Sequence, residues 1–157
     1  MPLAIAVADR RWGRLKGLPD KITRAHEASL PSRLARQHVT LLLADDRALQ
    51  VLNRKWRRKN KPTNVLSFRA ARSWTPKGAA LVLGDIAISY DTVKREAVAA
   101  GCSVSDHTLH LVVHGLLHLT GHDHEGEAQA LAMERKEIKI LAKLGIANPY
   151  VVKGEDE

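Results

Sequence analysis

A single cysteine, Cys102, stands in a chain of 157 residues. One thiol cannot form an internal disulfide, and it excludes a metal site built on several cysteines. This usage fits a reducing compartment. Cys102 follows Gly101 between two helical patterns and reads as a small junction residue rather than a nucleophile. Aromatic residues make up only 4% of the chain, so the core must be built from Leu, Val, Ile and Ala. No apolar run approaches the roughly 18 residues of a membrane span. The first residues, MPLAIAVADRRWGRLKG, show neither a basic leader nor a small-residue cleavage site, so no signal peptide is expected. The expectation is a cytoplasmic protein with no membrane partner. Acidic residues are also short, 17 against 25 Lys and Arg, which leaves a net charge of +8 and a pI near 9.9. A small protein this basic favours a polyanionic partner, nucleic acid ahead of an anionic surface.

What is present reads as one α+β domain over residues 1–150, with a loose polar tail at 151–157. Strands are expected at 3–8, 39–44, 64–68 and 80–89, the last broken at Gly84. Helices are expected after Pro19, after the capping pair Asp45 and Asp46, over 91–100, from Ser103 to about Thr120, and from about 127 to 144. The helix after Asp46 should turn Leu49, Leu52 and Trp56 inward, and the last one Leu131, Ile138 and Leu141. A loop with Pro76 and Gly78 joins the third and fourth strands. About four strands and five helices, not strictly alternating, predict a mixed sheet.

HGLLHLTGHDH, residues 114–124, carries the chemistry. His114 and His118 lie one helical turn apart, so both rings can reach one ion. Gly121 lets the chain turn back, and His124 returns as a third ligand. Three neutral imidazoles leave a fourth position open, as in a catalytic zinc site. The spacing matches the zinc-peptidase helix H-E-x-x-H-x-x-G-x-x-H, but Gly115 stands where the glutamate base belongs. His107 and His110 share the stripe of His114 and His118 on a helix otherwise apolar nearly all round. His110 reads as a core or ligand-supporting residue and His107 as solvent-facing. His122 is open between a solvated loop residue and a site contact. Asp123 is open between orienting a histidine and bonding its own turn.

Without a local base, either the substrate needs less proton shuttling or the base comes from elsewhere in the chain, and phosphodiester cleavage is a candidate for the first case. It needs charge neutralised on phosphate oxygens, and its nucleophile can be water or the 2′-hydroxyl of RNA. RKWRRKNK, residues 54–61, holds six Lys and Arg in eight positions. Arg57 lies at the rim of the apolar face, where a buried stem can aim its planar fork at a phosphate. Arg54, Arg58, Lys59 and Lys61 face solvent and read either as a solvated charged face or as a phosphate track. Trp56 reads as core rather than as a base-stacking residue.

Three blocks, NRKWRRKNKPTNVLSF (53–68), GDIAIS (84–89) and HGLLHLTGHDH (114–124), resemble the YbeY family of metal-dependent bacterial endoribonucleases of ribosomal RNA maturation and ribosome quality control. Their order, their spacing and the length of the chain fit as well. The resemblance implies a small α+β domain related to zinc peptidases. It also implies one zinc ion on His114, His118 and His124, Arg57 near the metal in a basic cleft, and single-stranded ribosomal RNA and the ribosome as partners. Arg58, Lys59 and Lys61 are the remaining candidates for RNA contact. Ser89 stands where the family often has cysteine and His122 where an aromatic is frequent, which leaves the cleft's shape open. Asp85 is open between orienting a site residue and capping a turn. Two other functions compete: a metal-dependent peptide or amide hydrolase, and a non-catalytic ribosome-assembly factor that uses zinc only to hold its fold.

Overall fold

The computed structural model describes residues 2–70, 81–121 and 126–151. Four strands form one sheet in the order β1-β2-β4-β3: β1 Leu3–Val7, β2 His38–Ala44, β3 Val65–Arg69 and β4 Val82–Ser89. β1, β2 and β4 run parallel, and β3 is antiparallel to β4 at the edge. A short 3₁₀ turn, Arg10–Arg14, follows β1. The α-helices among the described residues are α1 Leu18–Ser29, α2 Ser32–Ala35, α3 Asp46–Arg57, α4 Tyr90–Ala100, α5 Val104–Leu119 and α6 Glu127–Lys143. The architecture is α+β with a mixed sheet, as the sequence predicts. The extra helix is the single turn α2, too short to leave a periodic signal. The tail from 152 onward and the Pro76–Gly78 loop lie outside the described residues.

Alternation along the strands divides the apolar residues between two faces. Val39, Leu41, Leu43, Ile86 and Ile88 join the main core with residues of α1, α4, α5 and α6. Leu42, Ala44, Leu66, Phe68 and Ala87 face the other way, against Leu49 and Leu52 of α3. Among the described residues, one face receives four helices and the other only α3, so α3 covers the second face in part. α5 lies at the centre of the main core and touches α1, α4, α6, β3 and β4. Leu109, Leu111, Val112, Val113, Leu116, Leu117 and Leu119 are all buried on it. Each such side chain contributes about 1.5–3 kcal/mol of transfer free energy, so α5 is a fixed platform for the histidines it carries.

Gly84 does not break β4. The strand runs through it, and the pairing with β2 shifts by one residue there. A Cβ at Gly84 would lie 2.3 Å from the Phe68 carbonyl oxygen and 2.7 Å from Leu119 Cδ2. The glycine is therefore needed for close approach of β3 and α5 to a bulged strand. Two inward assignments also fail. Trp56 is 61% exposed and Leu131 is 49% exposed. In α6 the buried stripe is Met133, Glu137, Ile140 and Leu141, which puts Leu131 on the opposite side. In α3 Trp56 lies in the last turn, and its ring meets Phe68 at the partly covered face rather than a helix among the described residues.

Candidate active site

α3 brings the cations to the site. Asp45 caps its start by accepting from the Ala48 amide at 2.9 Å. The helix ends at Arg58, the one described non-glycine residue with positive φ, 57°. Asn53, 3% exposed, donates from Nδ2 to the Lys61 carbonyl at 2.9 Å, and its own carbonyl accepts from the Lys59 amide at 3.2 Å. One buried amide thus folds residues 59–61 back along the helix end. Sequence reasoning passed over Asn53; the available signal was an amide on the apolar side of the helix, between Leu49 and Trp56.

The result is a cleft of about 580 Å³ along the edge strand β3. His114 and His118 line it from α5, Arg57, Lys59 and Lys61 from α3 and its C-terminal turn, and Thr63 and Ser67 from the β3 side. Arg58, whose backbone is left-handed, is not among the lining residues. Arg57 is exposed but not loose. Its Nη2 donates to the Ser67 carbonyl at 2.7 Å and its guanidinium stacks 5.2 Å from the Phe68 ring centroid.

The His114 and His118 rings lie 4.7 Å apart, inclined at 69°, as one-turn spacing predicts. Behind them is a residue the sequence reading missed. Glu137 of α6 is fully buried. It accepts a hydrogen bond from His114 Nδ1 through Oε1 and another from the Tyr150 hydroxyl through Oε2, and His110 Nε2 lies 3.3 Å from Oε2. Burial pushes the carboxyl pKa up, but the bonds from His110, His114 and Tyr150 outweigh it and hold the group down to about 2. Burial and the same carboxylate raise the Tyr150 hydroxyl. An ionised carboxylate only accepts, so His114 keeps its proton on Nδ1 and presents Nε2 as the basic nitrogen. That is the tautomer a metal ligand needs. The donor set therefore fits a metal ion: two imidazoles at one-turn spacing, one of them held in the ligating tautomer. His124, the third expected ligand, lies outside the described residues with His122 and Asp123. Among the described residues no group of three or more His, Cys, Asp or Glu forms a metal-holding cluster.

Gly115 has a packing reason of its own. A Cβ there would meet Ser67 Oγ and Ile86 Cδ1 at 3.0 Å each, so any side chain at this position crowds Ser67 and Ile86, which would have to shift by a few tenths of an ångström. His107 is not solvent-facing. It pairs with Glu96 at 2.8 Å, and Glu96 also receives Asn64 Nδ2 at 3.0 Å, which ties the start of β3 to α4 and α5. Ser89 is fully buried, and its hydroxyl donates to Asp46 at 2.6 Å, away from the cleft. Asp85 lies on the α3 face of the sheet and lines a different groove. No helix among the described residues is long and apolar enough to cross a membrane.

The family model described as Endoribonuclease YbeY matches residues 14–145. The chain is 48% identical to the Endoribonuclease YbeY of Erythrobacter litoralis over 148 residues, covering 90% of this chain and 91% of that protein. It is 45% identical to the protein of the same name from Chelativorans sp., covering 92% and 90%. The Ruegeria pomeroyi counterpart is 42% identical, covering 97% and 99%. Among solved structures, the solution structure of TM1509 from Thermotoga maritima shares the fold with a TM-score of 0.61 at 23% identity, covering 90% of this chain and 88% of that one.

Proposed function

This chain belongs to the endoribonuclease YbeY family, and on that premise we propose that it is a zinc-dependent hydrolase that cleaves single-stranded RNA in ribosomal RNA maturation and ribosome quality control, with His114, His118 and His124 holding the ion. The observation that carries this reading is the meeting of His114, His118 and Arg57 in one basic cleft. His114, His118 and His124 would hold the ion, which would supply Lewis-acid chemistry for phosphodiester cleavage. Arg57, set by the Ser67 carbonyl and the Phe68 ring, offers its remaining N–H donors to the charge that builds on the phosphate in the transition state. Lys59 and Lys61, which line the same cleft, add cations for the RNA backbone. Arg58 contributes at most at long range. Glu137 holds His114 in its ligating tautomer.

Gly115 favours this reading over peptide hydrolysis, since the position of the peptidase base has no side chain and Ser67 and Ile86 pack tightly around it. The test is a substrate panel of single-stranded RNA, duplex RNA and casein, with metal analysis of the purified protein, before and after chelation. Single-stranded RNA should be cut by the zinc-bearing protein and spared after chelation, with regain on adding zinc back. Casein cleavage with intact RNA would reverse the assignment. A companion measurement addresses the cleft. Arg57→Glu should weaken RNA binding and make log K fall less steeply with log salt, by about one unit of slope for each phosphate that is no longer neutralised. An unchanged affinity and slope would remove Arg57 from the RNA path.

A further inference from the structure

We propose that the apolar groove beside Trp56, on the α3 face of the sheet, is a stacking subsite for one nucleobase of the single-stranded RNA whose phosphate lies at Arg57. The proposal rests on the function argued above and extends it to a part of the substrate not yet placed.

The groove measures about 630 Å³ and is lined by Ala6, Thr40, Leu42, Leu52, Trp56 and Phe68, with Asp85 and Arg69 at its polar end. On this face Ala44, Leu66 and Ala87 are buried beneath α3, while Leu42, Leu52 and Phe68 are only partly covered. Trp56, 61% exposed, forms one wall, its ring tilted 60° to Phe68 with centroids 6.5 Å apart. Leaving a large aromatic in water forfeits a favourable burial, so such a residue marks a contact surface more often than a random one.

Three observations select a nucleobase as the occupant. First, the aromatic wall sits among cations. Lys55 Nζ lies 5.2 Å from the Trp56 ring and the Arg57 guanidinium 5.2 Å from Phe68, which suits a polyanion and disfavours a basic or neutral peptide. Second, the groove continues the cleavage cleft. Arg57 and Ser67 line the cleft, while their chain neighbours Trp56 and Phe68 line the groove. The Arg57–Phe68 stack is the ridge between them, at the open edge of the sheet. A strand that sets a phosphate against Arg57 can lay an adjacent base over that ridge onto Trp56. Third, Asp85 brings a carboxylate into the groove. It repels a phosphate but accepts a hydrogen bond from an exocyclic amine of cytosine, adenine or guanine. The groove therefore takes a base and not the backbone. Since every base has a π-face, stacking there tolerates sequence. It also requires an unpaired base, which gives the enzyme a physical reason to prefer single strands.

The experiment measures binding of a single-stranded RNA 12-mer and of its duplex to the full chain, with cleavage suppressed by chelation. Trp56→Ala should weaken single-strand binding about tenfold, with little change for the duplex, and Trp56→Phe should restore most of it. In the unmodified protein, an abasic residue scanned along the RNA should reproduce the loss at a single position beside the scissile phosphate. That arm needs no protein variant and survives any folding defect in Trp56→Ala. Equal binding by Trp56→Ala together with a flat abasic scan would overturn the subsite while leaving the nuclease reading intact. Equal loss for single strand and duplex, with a fall in thermal stability, would show that Trp56 packs against its own chain. A change from dimer to monomer in Trp56→Ala would show that a second copy fills the groove. Either result would overturn the proposal. RNA that is neither bound nor cut by the unmodified protein would defeat the nuclease reading, and the subsite with it.

Discussion

Replacing His114 with alanine is expected to lower cleavage of single-stranded RNA by about a thousandfold or more, with the fold retained. A metal acting as a Lewis acid supplies several kcal/mol of transition-state stabilisation, and each 1.4 kcal/mol is a factor of ten in rate. Two-ligand sites hold zinc poorly, so the variant should also leave purification nearly metal-free. The fold should survive because the His114 side chain is 20% exposed on a helix anchored by the apolar residues around it. Glu137 loses one of its three partners but keeps Tyr150 and His110, which limits the loss to about 1–3 kcal/mol. Circular dichroism, metal analysis and a cleavage time course report the three effects separately. A folded, metal-free His114→Ala protein that still cuts RNA at the original rate would end the case for metal-assisted cleavage. RNA that is bound but never cut by the zinc-bearing unmodified protein would favour the assembly-factor reading.

The second large effect is expected at Glu137, which touches no substrate and acts through His114. Glu137→Ala removes the acceptor that fixes the Nδ1–H tautomer and leaves His114, Tyr150 and His110 around a void. Partners of this kind change metal affinity by about 10–100-fold. Competition with a chromophoric chelator should show that loss directly. Added zinc should recover part of the activity, which a merely unfolded protein could not do. Glu137→Gln keeps the shape and one accepting oxygen, so it should fall between the two. If Glu137→Ala binds zinc as tightly as the parent protein while losing stability, the residue only fills space.

How much of the molecule is readable in its sequence follows from the range of each interaction. His114 and His118 sit on one helix, so their spacing alone sets their rings side by side. The Asp45 cap, the Ser103 cap and the stops at Gly101 and Gly145 are equally local, and each stands where the residue types put it. Glu137 does carry a signal. It falls in the stripe of Met133, Ile140 and Leu141, and a carboxylate in an apolar stripe implies a buried partner. Taking Leu131 and Ile138 as the stripe hides it, because the charged position breaks the very pattern used to find the face. The same periodicity places Trp56 in the core. Helical phase says which residues share a side, but it does not say whether anything lies opposite.

The sequence by itself therefore determined the elements, the paired histidines, the basic segment and the family, all carried by short-range spacing. Tertiary structure alone decided that Arg57 meets those histidines across an edge strand, that Glu137 stands behind them, and that Trp56 stays exposed beside a groove on the α3 face of the sheet. The physical reason is that helix and strand periodicity is written in neighbouring residues. Partners from separate elements are chosen by packing, and packing depends on every element being in place at once.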